Sequence, residues 1–113
     1  MANRSSLQDL NAQERMLLMR FVCSFAWMDL EVRPEERDHV ARLISRLELD
    51  QEEAAQVQDW LKSPPKPDSV DPQDVPHDHR VQFLRAVESI VAVDGEVTID
   101  EREAVIVFAQ LIH

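Results

Sequence analysis

An all-α fold is what this sequence predicts: a compact bundle of about five main helices, built from two pseudo-repeated helical hairpins. Three observations point to it. Apolar residues recur at helical spacing, as in Val40, Leu43, Ile44 and Leu47. The chain has a single glycine in 113 residues, too few for the tight turns of a β-barrel or sandwich. Finally, a shift of 65 residues aligns Arg15–Ile44 with Arg80–Ala109 without a gap, and ten of the thirty positions are identical. The length suits one domain with a modest core, so we read residues 1–113 as a single unit. Its repeat halves cover about 15–44 and 80–109, joined by a Pro-rich crossover at 63–76.

Each element has its own signal. Asn11 followed by Glu14 is a capping pair that opens a helix over 12–29. That helix is apolar nearly all round (Leu17, Leu18, Met19, Phe21, Val22, Phe25, Trp27, Met28), which predicts a central, buried position. Pro34 suits the first turn of a second helix over roughly 34–47. Asp50 with Glu53 caps a third, roughly 51–62, whose inner face is Ala54, Val57 and Leu61. The prolines that follow disfavour a regular helix and predict a semi-rigid crossover, with one short turn begun by Asp71-Pro72. A fourth helix over roughly 77–93 turns Phe83, Leu84, Val87, Ile90 and Val91 inward. The last segment, Val105-Ile-Val-Phe108, has strand propensity. We assign it to a helix, because Thr98-Ile-Asp-Glu101 is a capping box and the segment repeats 36–47.

The charge is uneven. Twelve Lys and Arg face 22 Asp and Glu, a formal charge of −10. A pI near 4.7 argues against nucleic acid and anionic membrane surfaces as direct partners. Windows 29–38 and 94–103 hold five carboxylates each, and both follow Asp-x-Glu-Val-x-x-(Glu/Asp)-Glu-Arg. They are Asp29-Leu-Glu31-Val-Arg-Pro-Glu-Glu36-Arg37 and Asp94-Gly-Glu96-Val-Thr-Ile-Asp-Glu101-Arg102. Each connection carries its Asp at the end of one helix and its distal Glu in the first turn of the next, where free N–H groups stabilise a carboxylate. Gly95 sits where the chain leaves a helix; Leu30 stands at the matching place.

Two readings of these connections remain open. In one, the carboxylates only cap helices and pair with Arg37 or Arg102. In the other, Asp29, Glu31, Glu36, Asp94, Glu96 and Glu101 converge across a pseudo-twofold axis on a divalent cation. Hard carboxylate oxygens favour Ca²⁺, Mg²⁺ or Mn²⁺. The alternating ligands and mid-loop Gly of an EF-hand are absent.

Other chemistry is thin. The lone Cys23 excludes an internal disulfide and a multi-cysteine zinc site, and it suits a small buried hydrophobe in a reducing cytoplasm. His77 and His79 without cysteine partners read as solvated helix-start residues. His39 reads as a partly buried edge residue. Ser24 and Ser89 have no base placed beside them in the sequence, so neither is a nucleophile candidate. Trp27 and Trp60 fill the core or line a groove. The apolar run Met16–Met28 is broken by Arg20 and is shorter than the ~18–20 residues of a membrane span. With no signal-peptide pattern either, we expect a soluble protein.

The hairpins resemble the tellurite-resistance TerB-like family in their Ala/Val-x-x-Asp-(Gly)-Glu-Val-x-x-x-Glu-Arg pattern. So does the element Pro64-Pro65-x-Pro-Asp68-x-Val70-Asp71-Pro72-x-x-Val75-Pro76, followed by Arg80-x-x-Phe83-Leu84. The resemblance covers about residues 14–112; Val93-Asp94-Gly95-Glu96 is close to the family form, and Leu30 departs from it. It implies an all-α fold of two related halves in a bacterial stress-response protein without an enzymatic reaction. It also implies a divalent cation at the six carboxylates named above, and a protein partner in a membrane-associated complex. The chain would then lie in the cytoplasm and reach the inner membrane only through that partner.

Overall fold

The computed structural model describes residues 10–28, 32–66, 69–93 and 97–112. Its elements are α1 (Ala12–Ala26), α2 (Pro34–Arg46), α3 (Gln51–Lys62), α4 (Arg80–Val91) and α5 (Ile99–Leu111). Short 3-10 turns at Pro72–Asp74 and His77–His79 interrupt the crossover. The fold is all-α, and no strand occurs among the described residues. The radius of gyration is 13.1 Å, that of a compact body of this length.

The helix starts follow the capping residues. Asn11 Oδ1 accepts from Glu14 N at 2.9 Å while Glu14 Oε1 accepts from Asn11 N at 2.9 Å. Asp50 and Glu53 repeat this exchange at 2.8 and 2.9 Å. Thr98 and Glu101 close the third box. The strand-prone run 105–108 is therefore helical, because a capped N-terminus and a buried Phe108 outweigh the propensity of two exposed β-branched residues.

Three boundaries differ from those expected. α1 stops at Ala26 rather than 29: Trp27 takes φ −87° and ψ 4°, and its indole N–H donates to Trp60 O at 2.7 Å. That bond ties the end of α1 to the end of α3. The fourth helix begins at Arg80, since the residues after Pro76 form a 3-10 turn first, and it ends at Val91 rather than 93. α2 ends in a Schellman motif: Leu49 N donates to Ile44 O at 3.2 Å and Glu48 N to Ser45 O at 3.1 Å. Glu48 occupies the left-handed position, with φ 55°, that glycine usually takes. In the crossover, Asp71 Oδ1 accepts from Gln73 N at 2.9 Å and opens the expected short turn.

α1 is the central element, packed against α4, α3 and α2. Its Leu18, Met19, Val22 and Cys23 are fully buried with Phe83, Val87 and Ile90 of α4, Val40 of α2 and Val57 of α3. Arg20, the break in the apolar run, places its guanidinium over the Trp60 ring at 5.7 Å, so the charge stays at the surface beside an aromatic face. Under the offset of 65 residues, Pro34–Arg46 falls on Ile99–Leu111, so α2 and α5 have matching bounds. No helix among the described residues is long and apolar enough to cross a membrane.

Candidate functional site

Of the six carboxylates expected to ligate a cation, Asp29, Glu31, Asp94 and Glu96 lie outside the described residues. Glu36 and Glu101 stand at the third position of α2 and α5. Each reaches back to the residue that precedes its helix: Glu36 Oε1 accepts from Arg33 N at 2.8 Å, and Glu101 Oε1 from Thr98 N at 2.9 Å. The second box is reciprocal, because Thr98 Oγ1 accepts from Glu101 N at 3.1 Å. The first is one-sided, since an arginine side chain has no acceptor to offer. Both carboxylates sit where helix N–H groups and the macrodipole favour negative charge.

The matched positions of the two halves differ in burial. Glu36 is 5% exposed, whereas Glu101 is half-buried. Val32 is 8% exposed and its counterpart Val97 is 42% exposed. Val40 is fully buried, and Val105 only partly. The cause is the neighbourhood of each helix. α2 packs against α1 and α4, whereas α5 packs on α4 and on the 3-10 turn of the crossover and reaches α1 through Phe108. Phe108 is the only residue within α5 that is fully enclosed, and Ile99, Ile106, Val107 and Leu111 stay exposed.

Beside α5 runs an open groove of about 480 Å³. Its floor is aromatic: the ring centroid of Phe108 lies 4.9 Å from that of Phe21 and 5.6 Å from that of Phe25. Ala104, Val107 and Leu111 form one wall, Val70 and Pro72 of the crossover the other, and Asp100 and Glu103 are the charged groups that line it. No single residue announced this site in the sequence. The available signal was the apolar content of α5 on more than one face, which a helix at the bundle edge cannot bury completely.

A larger cleft of about 660 Å³ opens at the start of α1, lined by Glu14, Glu53, Asp74 and Arg20 among others. Glu14 and Glu53 are the capping partners of α1 and α3, so their carboxylates are fixed by backbone N–H groups. Glu14 Oε1 also lies 3.8 Å from His79 Nε2. His77 is exposed, as expected, and its carbonyl accepts from the Arg80 guanidinium at 2.7 Å. Among the described residues no group of three or more His, Cys, Asp or Glu is gathered so as to hold a metal ion.

The expectation that Ser89 has no base beside it is corrected. His39 Nε2 lies 2.8 Å from Ser89 Oγ, across the α2–α4 contact, a proximity that a separation of fifty residues hides. The serine hydroxyl donates to Ala86 O at 2.8 Å, so Oγ accepts from the imidazole N–H. The pair links α2 to α4 through one side-chain hydrogen bond. Burial, and then the charges of Arg42 and Arg46, hold the His39 pKa below its ordinary 6.5. Burial also pushes the Cys23 thiol up to about 12, where thiolate chemistry is suppressed.

No family model, curated protein or solved structure matches the chain.

Proposed function

We propose that this is a non-catalytic, TerB-like stress-response domain that docks a protein partner in the groove beside α5. The observation that carries the reading is the groove itself: an aromatic floor with apolar walls, continuous with the exposed Val107 and Leu111. Exposed apolar surface gathered beside a concave floor favours a protein partner. Val107→Asp tests the docking reading. The variant should melt close to the parent, because the side chain is 51% exposed, yet lose its partner in a co-purification from the native host. Retention of the partner by a folded Val107→Asp protein would remove the groove from consideration.

The proposal includes a divalent cation, Ca²⁺, Mg²⁺ or Mn²⁺, at Asp29, Glu31, Glu36, Asp94, Glu96 and Glu101. It rests on the duplicated acidic pattern and the resemblance of that pattern to the TerB-like family. A carboxylate that accepts one backbone N–H on one oxygen can still offer the other to a cation, so capping and ligation are compatible. Calorimetry should show binding that Asp94→Asn with Glu101→Gln weakens; unchanged binding would eliminate the site. A second reading is a metal-free interaction scaffold, favoured by the use of Glu36 and Glu101 as caps. Melting insensitive to chelator, with a large loss of stability in Asp94→Ala, would select it. In either reading the chain works in the bacterial cytoplasm and meets the inner membrane only through a membrane-associated partner.

A further inference from the structure

The groove beside α5 says more about its occupant than that it is a protein. Asp100, Glu103, Ala104, Val107 and Leu111 fall at i, i+3, i+4, i+7 and i+11, so one flank of α5 lines the groove over about three turns, or roughly 16 Å. A helix presents apolar anchors at i, i+3 or i+4, and i+7 over that same length. The walls offer no strand edge. α5 bonds its backbone within itself, and on the facing wall Pro72 has no N–H to give, which leaves Val70 as the groove-lining residue of the crossover with an N–H. An extended peptide would therefore leave most of its own backbone unmatched, above all along α5, whereas a helix brings its N–H and C=O groups already paired.

Charge narrows the occupant further. Asp100 and Glu103 line the groove, and among the described residues no Lys or Arg does. The chain as a whole carries −10. A second copy docking by the same face would bring these carboxylates together across an isologous contact, adding like-charge repulsion to self-repulsion between two acidic bodies. An acidic segment meets the same obstacle. Lysine or arginine flanking apolar anchors meets complementary charge instead.

We propose that the groove receives a basic amphipathic helix of a partner protein, with apolar side chains on the Phe21–Phe25–Phe108 floor and Lys or Arg against Asp100 and Glu103. This deepens the docking reading above and rests on it. Association is accelerated by the net charge, whereas its position is set by the two carboxylates and the aromatic floor.

The test uses the full chain and a fluorescent helical probe of about 15 residues, with Leu at i, i+3, i+4 and i+7 and Lys elsewhere. A second probe has Glu in place of Lys. The Lys probe should bind about tenfold or more tightly than the Glu probe at low salt. Asp100→Asn with Glu103→Gln should weaken the Lys probe by about tenfold. Glu52→Gln with Asp59→Asn removes the same charge on α3, away from the groove, and should change binding less than about twofold. Val107→Ser with Leu111→Ser should weaken the Lys probe most, with melting close to that of the parent. Equal weakening by the two charge-removing pairs would overturn the basic-helix inference, since only net charge would then be felt. In that case loss of binding in the Val107/Leu111 variant would leave the docking reading standing. Binding unchanged in that variant would bring down both. A concentration-dependent dimer dissolved by Val107→Ser with Leu111→Ser would make a second copy the occupant and overturn the proposal.

Discussion

His39 and Ser89 show what a single polar pair does between two helices. The imidazole donates to Oγ, Oγ donates to Ala86 O, and α2 is thereby held to α4 by a bond that apolar contacts alone would not orient. Ser89→Ala leaves the imidazole N–H without its acceptor and should cost about 1 kcal/mol in denaturant melts. The pair also predicts a pH dependence. With the folded pKa below 6.5, the unfolded chain binds the extra proton first as pH falls. The His39 contribution is therefore whole above about pH 6.5 and is lost as pH drops toward the lowered folded value. Part of the acid-side loss of stability should disappear in His39→Gln; an unchanged pH profile in that variant would rule the coupling out. Cys23 is the other residue to probe. It is fully buried with its thiol pushed up to about 12, so labelling by a thiol reagent should track unfolding and be negligible in the native state. Rapid labelling without unfolding would contradict that burial.

At the scale of elements, the helix ends carry the specificity. Thr98→Ala removes the reciprocal cap of α5 and should cost about 1 kcal/mol, because the bond it loses satisfies a first-turn N–H. Glu36 and Glu101 make the same backbone bond in the two halves, but Glu36 is buried and Glu101 is half-buried. Glu36→Ala should therefore be the more destabilising, by about 1–3 kcal/mol, since the Arg33 N–H it leaves behind is less accessible to water. Equal effects would mean that burial adds nothing to the cap. Glu48 offers the opposite sign. Its left-handed backbone, φ 55°, costs a non-glycine residue about 1 kcal/mol, so Glu48→Gly should raise stability by an amount of that order. A loss of stability there would show that the glutamate side chain contributes more than the strain removes.

Across the whole molecule, enclosure is asymmetric. α1 sits at the centre, and Leu18→Ala or Phe83→Ala should cost about 2–5 kcal/mol because nothing can collapse into the space they vacate. α5 lies at the edge, and Val107→Ser, at a position 51% exposed, should stay within about 0.5 kcal/mol. Equal penalties would contradict the position of α5. The net charge of −10 repels itself at low ionic strength, so added NaCl should raise the melting temperature modestly. If the acidic connections hold a divalent cation, CaCl₂, MgCl₂ or MnCl₂ at matched ionic strength should raise it further, by mass action on the native state.

Much of the fold was legible because helix starts are local chemistry. Asn11 with Glu14, Asp50 with Glu53, and Thr98 with Glu101 each sit three residues apart, and all three closed the boxes their spacing implied. The same local logic put 105–108 in a helix against its strand propensity. The helix ends were less legible: Trp27 stops α1 because its indole finds Trp60 O, thirty-three residues away. His39 and Ser89, fifty residues apart, could be joined only by the packing of α2 on α4. The groove beside α5 belongs to that level too. Sequence by itself determined five helices, three of them opened by reciprocal capping boxes, and a duplicated acidic pattern, because capping and apolar periodicity act over three to seven residues. Only the tertiary structure decided which half would be enclosed. The two halves are similar in sequence, but α2 packs on α1 and α4 whereas α5 packs on α4 and the crossover turn, so matched residues such as Val32 and Val97 come to differ in burial.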